Sequence, residues 1–293
     1  MVNHRAGLPP AYIEGTEGDD TLYGDDRRRD TIAGLGGDDI IYATSNDVVL
    51  GGDGNDTLNA RSASIAYGDA GDDLIYTSYA RIVQGGTGDD TIRAGRSADN
   101  LYGGFDDDLI ISEAGRDTVR GNQGRDTIFA GDDDDFAFGG AGNDFISGQN
   151  GDDRIYGENG NDRLAGGAGD DSVHGGKGRD RLSGGDGDDF LYAGAGNDVV
   201  RGGKGDDTIF GQGGVDRVFG GGHGDEDFFV LQTNTNLLIG DWSFRRDFLS
   251  LDEGIRFRDL DFQGSAIRYE GETLARLIGR DATLLTQDDF ENF

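Results

Sequence analysis

Residues 103–219 divide into thirteen consecutive nine-residue repeats with no insertion or deletion. Typical copies are GGAGDDSVH (166–174), GGKGRDRLS (175–183) and GGDGDDFLY (184–192), sharing the pattern G-G-x-G-x-D-x-U-x with U a large aliphatic. Every sixth position is Asp, and an aliphatic or Ala follows two residues later, from Ile110 to Val218. So short a period excludes most folds. A single repeat cannot bury a core, so the chain must stack its repeats as a solenoid. The glycine half accepts positive φ without Cβ strain and reads as a tight turn. The x-U-x half reads as a short strand with U inward and its neighbours outward. Two repeats then make one turn of a flattened right-handed coil, with parallel strands ~4.8 Å apart.

One aliphatic per repeat buries too little surface to offset the entropy of ordering nine residues. Stacked carboxylates would add repulsion. A hard divalent cation lodged between neighbouring turns reverses that sign. Ca2+ takes about 6–8 oxygens from carboxylates and backbone carbonyls, which glycine turns expose. The repeats resemble the calcium-binding nonapeptide of the RTX (repeats-in-toxin, hemolysin-type) family, over roughly residues 15–230. The resemblance implies an all-β, right-handed parallel β-roll with a C-terminal β-rich cap. It also implies a secreted protein that folds on binding calcium. The expected carboxylate ligands are Asp20, Asp39, Asp56, Asp73, Asp90, Asp108, Asp117, Asp126, Asp135, Asp144, Asp153, Asp162, Asp171, Asp180, Asp189, Asp198, Asp207, Asp216 and Asp227. Which carbonyls join them is open, as is the part played by Asp30, Asp47 and Asp99.

Composition agrees with this reading. Asp plus Glu number 58 against 26 Lys plus Arg, a formal net charge of −32. Low hydrophobicity with high charge is also the signature of disorder, so both states are expected: disordered without metal, folded with it. The acidic balance argues against nucleic acid and anionic membrane surfaces as partners. There is no Cys, which removes disulfides and thiolate metal sites. The start, MVNHRAGLPPAYIEG, has no apolar core of a Sec signal peptide, and no run is long enough to span a membrane.

Residues 1–14 read as a polar leader containing Pro9 and Pro10. Repeats start at Gly15; the second, 24–33, has ten residues and places Arg27, Arg28 and Arg29 where glycine and its neighbours belong. Then 43–50, 60–67 and 77–84 have eight residues and lack the glycines, whereas 51–59, 68–76 and 85–93 fit. In 94–102, Asp99 is kept but Ser97 takes the fourth position. Because odd and even repeats bend at opposite edges, this alternation predicts metal mainly on one edge over 15–102 and on both over 103–230. The other edge of 15–102 would be held by hydrogen bonds from Ser and Thr. Ions between successive acidic loops would number about 17, with a charge of about +34 against the −32 of the chain.

Beyond GGGHGDEDFFV (220–230), residues 231–293 form the expected capping and secretion segment. Residues 228–293 hold half of the sixteen Phe and the single Trp242, and alternating patterns there suggest antiparallel strands. The element from Ile239 to Leu251 (IGDW…DFLSL) resembles the RTX C-terminal flank. That resemblance implies a cap, folding nucleation and export by a type I exporter, hence an extracellular or cell-surface location.

The three histidines, His4, His174 and His223, are too few for a zinc hydrolase, and neither H-E-x-x-H nor G-x-S-x-G occurs. Acidic pairs such as Asp188–Asp189 recur without a unique cleft, which favours a structural role over glycosidase chemistry. Aromatics at the ninth position (Tyr102, Phe129, Phe138, Tyr156, Tyr192, Phe210, Phe219) could serve a partner or carbohydrate surface, or shield the strands. The leading expectation is a calcium-binding roll and not an enzyme, since no room precedes the repeats for a catalytic domain, short of activity in residues 231–293. The alternative is an adhesion or spacer protein of the cell surface or matrix, presenting a surface to a cell-surface or polysaccharide partner.

Overall fold

The structure is a computed structural model that describes residues 10–25, 29–44, 46–61, 63, 65–79, 81–222, 224–242, 246–251, 255–278, 280 and 282–291. The expectations placed on Arg27, Arg28, His4 and His223 lie outside these residues. The chain divides into two compact units, 1–139 and 140–293. Both are parallel β-solenoids, and among the described residues helix occurs only as three short 3-10 turns near the C-terminus.

In the first unit each strand pairs in parallel with the strand two elements later, because one turn of coil consumes two repeats. Repeat length sets the register. Tyr12 faces Thr31 across the ten-residue repeat. Thr31 faces Val48 and Val48 faces Ile65 where eight-residue repeats intervene. Asn100 faces Thr118 and Leu109 faces Thr127 where both repeats have nine. The hydrogen bonds between turns accordingly span 19, then 17, then 18 residues. Shortening a turn by one residue leaves the strand register whole because the change falls in the bend.

The core of the first unit is two files of side chains, each from the next-to-last place of its repeat: Ile41, Leu58, Ile75, Ile92, Ile110 and Ile128 from one set of strands, and Ile32, Val49, Val83, Leu101 and Val119 from the other, all fully buried. Strands carry the burial alternation expected of a thin sheet, as in Thr118–Gln123 and Phe145–Asn150.

The second unit repeats this plan from Phe145–Asn150 to Thr208–Gly221 and then extends it. The expectation of antiparallel strands holds for one meander only, Leu260–Gln263, Ala266–Tyr269 and Glu272–Leu277. The preceding strands keep the parallel stack: Phe228 pairs with Thr208 and then Phe248, and Arg217 pairs with Leu238, which pairs with Arg276. The reason is packing. Phe229, Leu237, Ile239 and Leu249 enter the core files fully buried, and Trp242 lies against Phe229 with ring centroids 5.9 Å apart. These larger side chains replace one aliphatic per repeat with a broader apolar plug. Phe257, Phe262 and Phe290 cluster beyond it.

Candidate metal-binding turns

Each turn brings one carboxylate and several carbonyls to an edge of the coil. Gly167 and Gly169 have φ of +134° and +132°, the left-handed region open to glycine. A Cβ at Gly185 would stand 2.0 Å from the Gly167 carbonyl oxygen, and one at Gly187 2.1 Å from that of Gly169. Second- and fourth-position carbonyls therefore aim at the backbone of the next turn. The first-position glycine leaves a different space. A Cβ at Gly166 would lie 2.0 Å from Asp171 Oδ2 and 2.7 Å from the Gly184 carbonyl oxygen of the following turn. A carboxylate oxygen and a carbonyl oxygen thus border one point that only a missing side chain keeps open.

The sixth-position Asp is buried from Asp39 on: Asp117, Asp126, Asp180, Asp207 and Asp216 are fully inaccessible, and none of the others between Asp39 and Asp198 exceeds 2% exposure, whereas Asp20 is half-buried. The two carboxylate oxygens have separate fates. Oδ1 accepts the backbone N–H of the sixth-position Asp one turn earlier. Asp153 donates to Asp171 at 2.8 Å, Asp171 to Asp189 at 2.9 Å and Asp189 to Asp207 at 3.0 Å. The first unit shows the same bond: Asp39 donates to Asp56 and Asp56 to Asp73, both at 2.8 Å. Oδ2 has no hydrogen-bond partner at Asp39, Asp56, Asp73, Asp90, Asp108, Asp117, Asp162, Asp171, Asp180, Asp189, Asp198, Asp207 or Asp216.

A buried carboxylate oxygen without a partner is costly. Burial, reinforced by neighbouring carboxylates, pushes Asp73, Asp108, Asp117, Asp171 and Asp207 up to about 8, against an ordinary value of 3.8. The same causes push Asp90, Asp162, Asp189, Asp216 and Asp227 up to about 7. At neutral pH the columns call for a positive partner, either a proton or a cation. The donor set is all oxygen, carboxylate with carbonyl, which suits a hard cation such as Ca2+ and not a thiophilic or imidazole-seeking metal. Among the described residues no three side chains of His, Cys, Asp or Glu converge on one point. That matches turns in which backbone carbonyls must complete any shell.

Several acidic turns depart from this pattern. Asp20 Oδ2 accepts from Thr16 N at 2.6 Å and Thr16 Oγ1 at 2.8 Å. Asp47 Oδ2 accepts from Thr44 N at 2.8 Å and Thr44 Oγ1 at 3.1 Å, and Asp30 Oδ2 from Asp25 N at 3.2 Å. Ser97 Oγ donates to Asp99 Oδ1 at 2.7 Å, while Asp99 Oδ2 stays without a partner. Ser and Thr hydroxyls thus occupy turns of the degenerate edge, and also the first turn of the regular one.

A second ladder escaped the sequence reading. Fifth-position side chains accept the backbone N–H of the fifth residue one turn later, opposite in sense to the sixth-position ladder. Asp170 N donates to Asp152 Oδ1 at 2.9 Å, Asp188 N to Asp170 Oδ1 at 2.9 Å and Asp206 N to Asp188 Oδ1 at 2.8 Å. Asn serves equally, as Asn161 N to Asn143 Oδ1 at 2.8 Å. The signal was the recurrence of Asp or Asn at that position. In pairs such as Asp188–Asp189 one carboxylate ties turns together near the surface and the other is buried.

The ninth-position rings stack on one another. Tyr156, His174, Tyr192 and Phe210 follow at 4.6, 4.4 and 4.5 Å between centroids, nearly parallel. Their faces are turned to each other, and burial lowers the His174 pKa from its ordinary value. The Ser172 hydroxyl lies 3.1 Å from His174 Nε2.

No helix of the described residues is long and apolar enough to cross a membrane. The family described as RTX calcium-binding nonapeptide repeat matches the chain in overlapping segments over residues 12–64 and 82–225, and no catalytic domain was identified. No curated protein matches the chain significantly. The buried Asp columns, the glycine turns and this match over most of the length agree: the chain belongs to the RTX family, its hemolysin-type calcium-binding repeats forming a parallel β-solenoid.

Proposed function

We propose that the protein is a secreted calcium-binding β-roll that orders on metal binding. The observation that carries this is the run of buried Asp Oδ2 atoms without hydrogen-bond partners. The carboxylates of Asp39 to Asp216 on one edge and Asp117 to Asp207 on the other would hold the ions, with Asp20 and Asp227 at the ends. First-position carbonyls of the following turn, which border the same point as Oδ2 (Gly184 at Asp171, Gly220 at Asp207), are the candidate partners. About 17 ions would fill the spaces between successive acidic loops. Bound calcium would supply countercharge and tie carboxylate and carbonyl oxygens of successive turns together. The rest is done by the chain. Glycine bends bring the carboxylates into file, Oδ1 fixes the spacing between turns through the backbone N–H, and the aliphatic files exclude water. Without countercharge the file repels itself, and the acidic chain has too little apolar surface to compensate.

This coupling suits export. A chain that stays unfolded where calcium is scarce can pass a type I exporter and fold outside, where sites of the extracellular class fill at 10⁻⁴–10⁻³ M. Residues 231–293 would carry the cap and export signal. Titrating calcium into the metal-stripped chain tests the reading. The expected result is coil-like circular dichroism before, β-structure after, and many ions per chain by calorimetry. An identical spectrum with and without calcium overturns it.

A further inference from the structure

In the nonapeptides of the second compact unit, acidic residues are confined to the bends, which also hold Lys177, Arg179 and Lys204, whereas arginines stand on the strand faces as well. Every acidic residue of 140–219 stands at the second, third, fifth or sixth position of its repeat, in the bends. None stands at the seventh or ninth, whose side chains point out from the flat strand faces. On one of those faces the outward positions of successive strands are Arg163 and Ala165, Arg181 and Ser183, Val199 and Arg201, then Arg217 and Phe219. They lie in register, with Arg163 facing Arg181, Ser183 facing Arg201 and Val199 facing Arg217. Beyond Leu238 the same row reaches Arg276. All five arginines are exposed. The opposite face carries the stacked column of Tyr156, His174, Tyr192 and Phe210 and a single outward arginine, Arg154, among its strands from Arg154 to Phe210.

Placing like charges on adjacent strands is unfavourable, and this face does not relieve it. None of these five arginines takes part in the ion pairs that join Arg93 to Glu113, Arg116 to Asp134, Arg125 to Asp107, Lys204 to Asp186 and Arg258 to Asp259 among the described residues. Arg163 lies over the Phe145 ring and Arg201 over Phe219, at 5.6 and 5.3 Å. Their charge is held against aromatic faces with the guanidinium edges left to solvent. A chain with a net charge of −32 thus keeps a basic stripe clear of its own carboxylates.

We propose that this face docks a linear acidic polysaccharide, its carboxylate or sulfate groups taken by the guanidinium forks. Arg presents paired donors matched to such planar or branched anions. Strand stacking delivers about one guanidinium every ~4.8 Å along the axis, a spacing for a thin polymer laid along the stack. The acidic bends border the stripe on both sides, since strands of six residues span only about 20 Å. A broad, densely charged duplex would meet those bends, which is why a single thin chain is favoured over nucleic acid. The face exists only in the ordered roll, so the inference rests on the calcium-dependent folding proposed above.

The test uses the full chain at saturating calcium, with circular dichroism recorded for each variant. The probes are polygalacturonate as carboxylated polymer, heparin as sulfated polymer, neutral dextran and duplex DNA. Binding to one or both acidic polysaccharides, weakened by salt and absent for dextran, is expected. The variant Arg163→Ser/Arg181→Ser/Arg217→Ser should weaken it about tenfold or more at unchanged ellipticity. Phe190→Ser on the opposite face should leave it intact. Binding that survives the triple substitution, as calcium bridging between polymer and acidic bends would, overturns the proposal. So does tighter binding of DNA, or no polysaccharide binding by a chain that folds with calcium. A chain that calcium does not fold refutes the earlier reading, and this one with it.

Discussion

If unpartnered buried carboxylates are what keeps the metal-free chain from folding, protons should substitute for calcium. Ten sixth-position carboxylates, Asp73, Asp90, Asp108, Asp117, Asp162, Asp171, Asp189, Asp207, Asp216 and Asp227, are pushed up to about 7 or 8 in the folded roll, against 3.8 ordinarily. A raised folded-state value means that the folded form binds more protons. The associated stability is fully present below about 4 and is lost as pH rises through 7 to 8. Each extra proton contributes a slope of about 1.4 kcal/mol per pH unit. Half of those ten carboxylates would already give about 7 kcal/mol per pH unit, comparable to the whole stability of a typical domain. The metal-stripped chain is therefore expected to be coil-like at pH 8.5 and to gain β-structure on acidification towards pH 5, in a transition about one pH unit wide. Far-UV circular dichroism follows it. Sedimentation velocity at pH 5 separates folding from self-association near the isoelectric point of about 4.1. Calcium at pH 8.5 should restore the same spectrum. A stripped chain already folded at pH 8.5, or still coil-like at pH 5 while monomeric, refutes the electrostatic account.

Three further outcomes follow from the same geometry. Asp171→Asn keeps the shape but removes a charge from the column, so calorimetry should show fewer or weaker calcium sites; an unchanged isotherm would remove Asp171 from the ligand set. Gly166→Ala places a methyl 2.0 Å from Asp171 Oδ2 and 2.7 Å from the Gly184 carbonyl oxygen. It should cost about 1–3 kcal/mol and raise the calcium midpoint, whereas Gly18→Ala, with nothing within 4 Å of its Cβ, should not. Ile155→Ala empties one fully buried place in its core file. A loss of about 2–5 kcal/mol is expected by urea denaturation in saturating calcium, with the calcium stoichiometry unchanged.

Much of this molecule is written in its period. Repeat lengths of eight, nine and ten residues translate into strand offsets of 17, 18 and 19, because any added residue falls in a bend and two repeats close each turn. The eighth-position files and the burial of the sixth-position Asp follow from the same alternation. Stacking alone decided the rest, since it brings together residues that are neighbours only across a turn. No count along the chain shows that Oδ1 of Asp171 is satisfied and Oδ2 is not, or that the fifth-position ladder runs the other way. Nor does it show that Phe228, Phe229 and Leu249 carry the parallel stack past the last nonapeptide, where broad apolar side chains take over from the aliphatic files. The arginine face is shared between period and stacking: Arg163, Arg181 and Arg217 stand at intervals of 18 and 36 residues, whole turns of the coil, but only the tertiary structure rests Arg163 on Phe145 and Arg201 on Phe219.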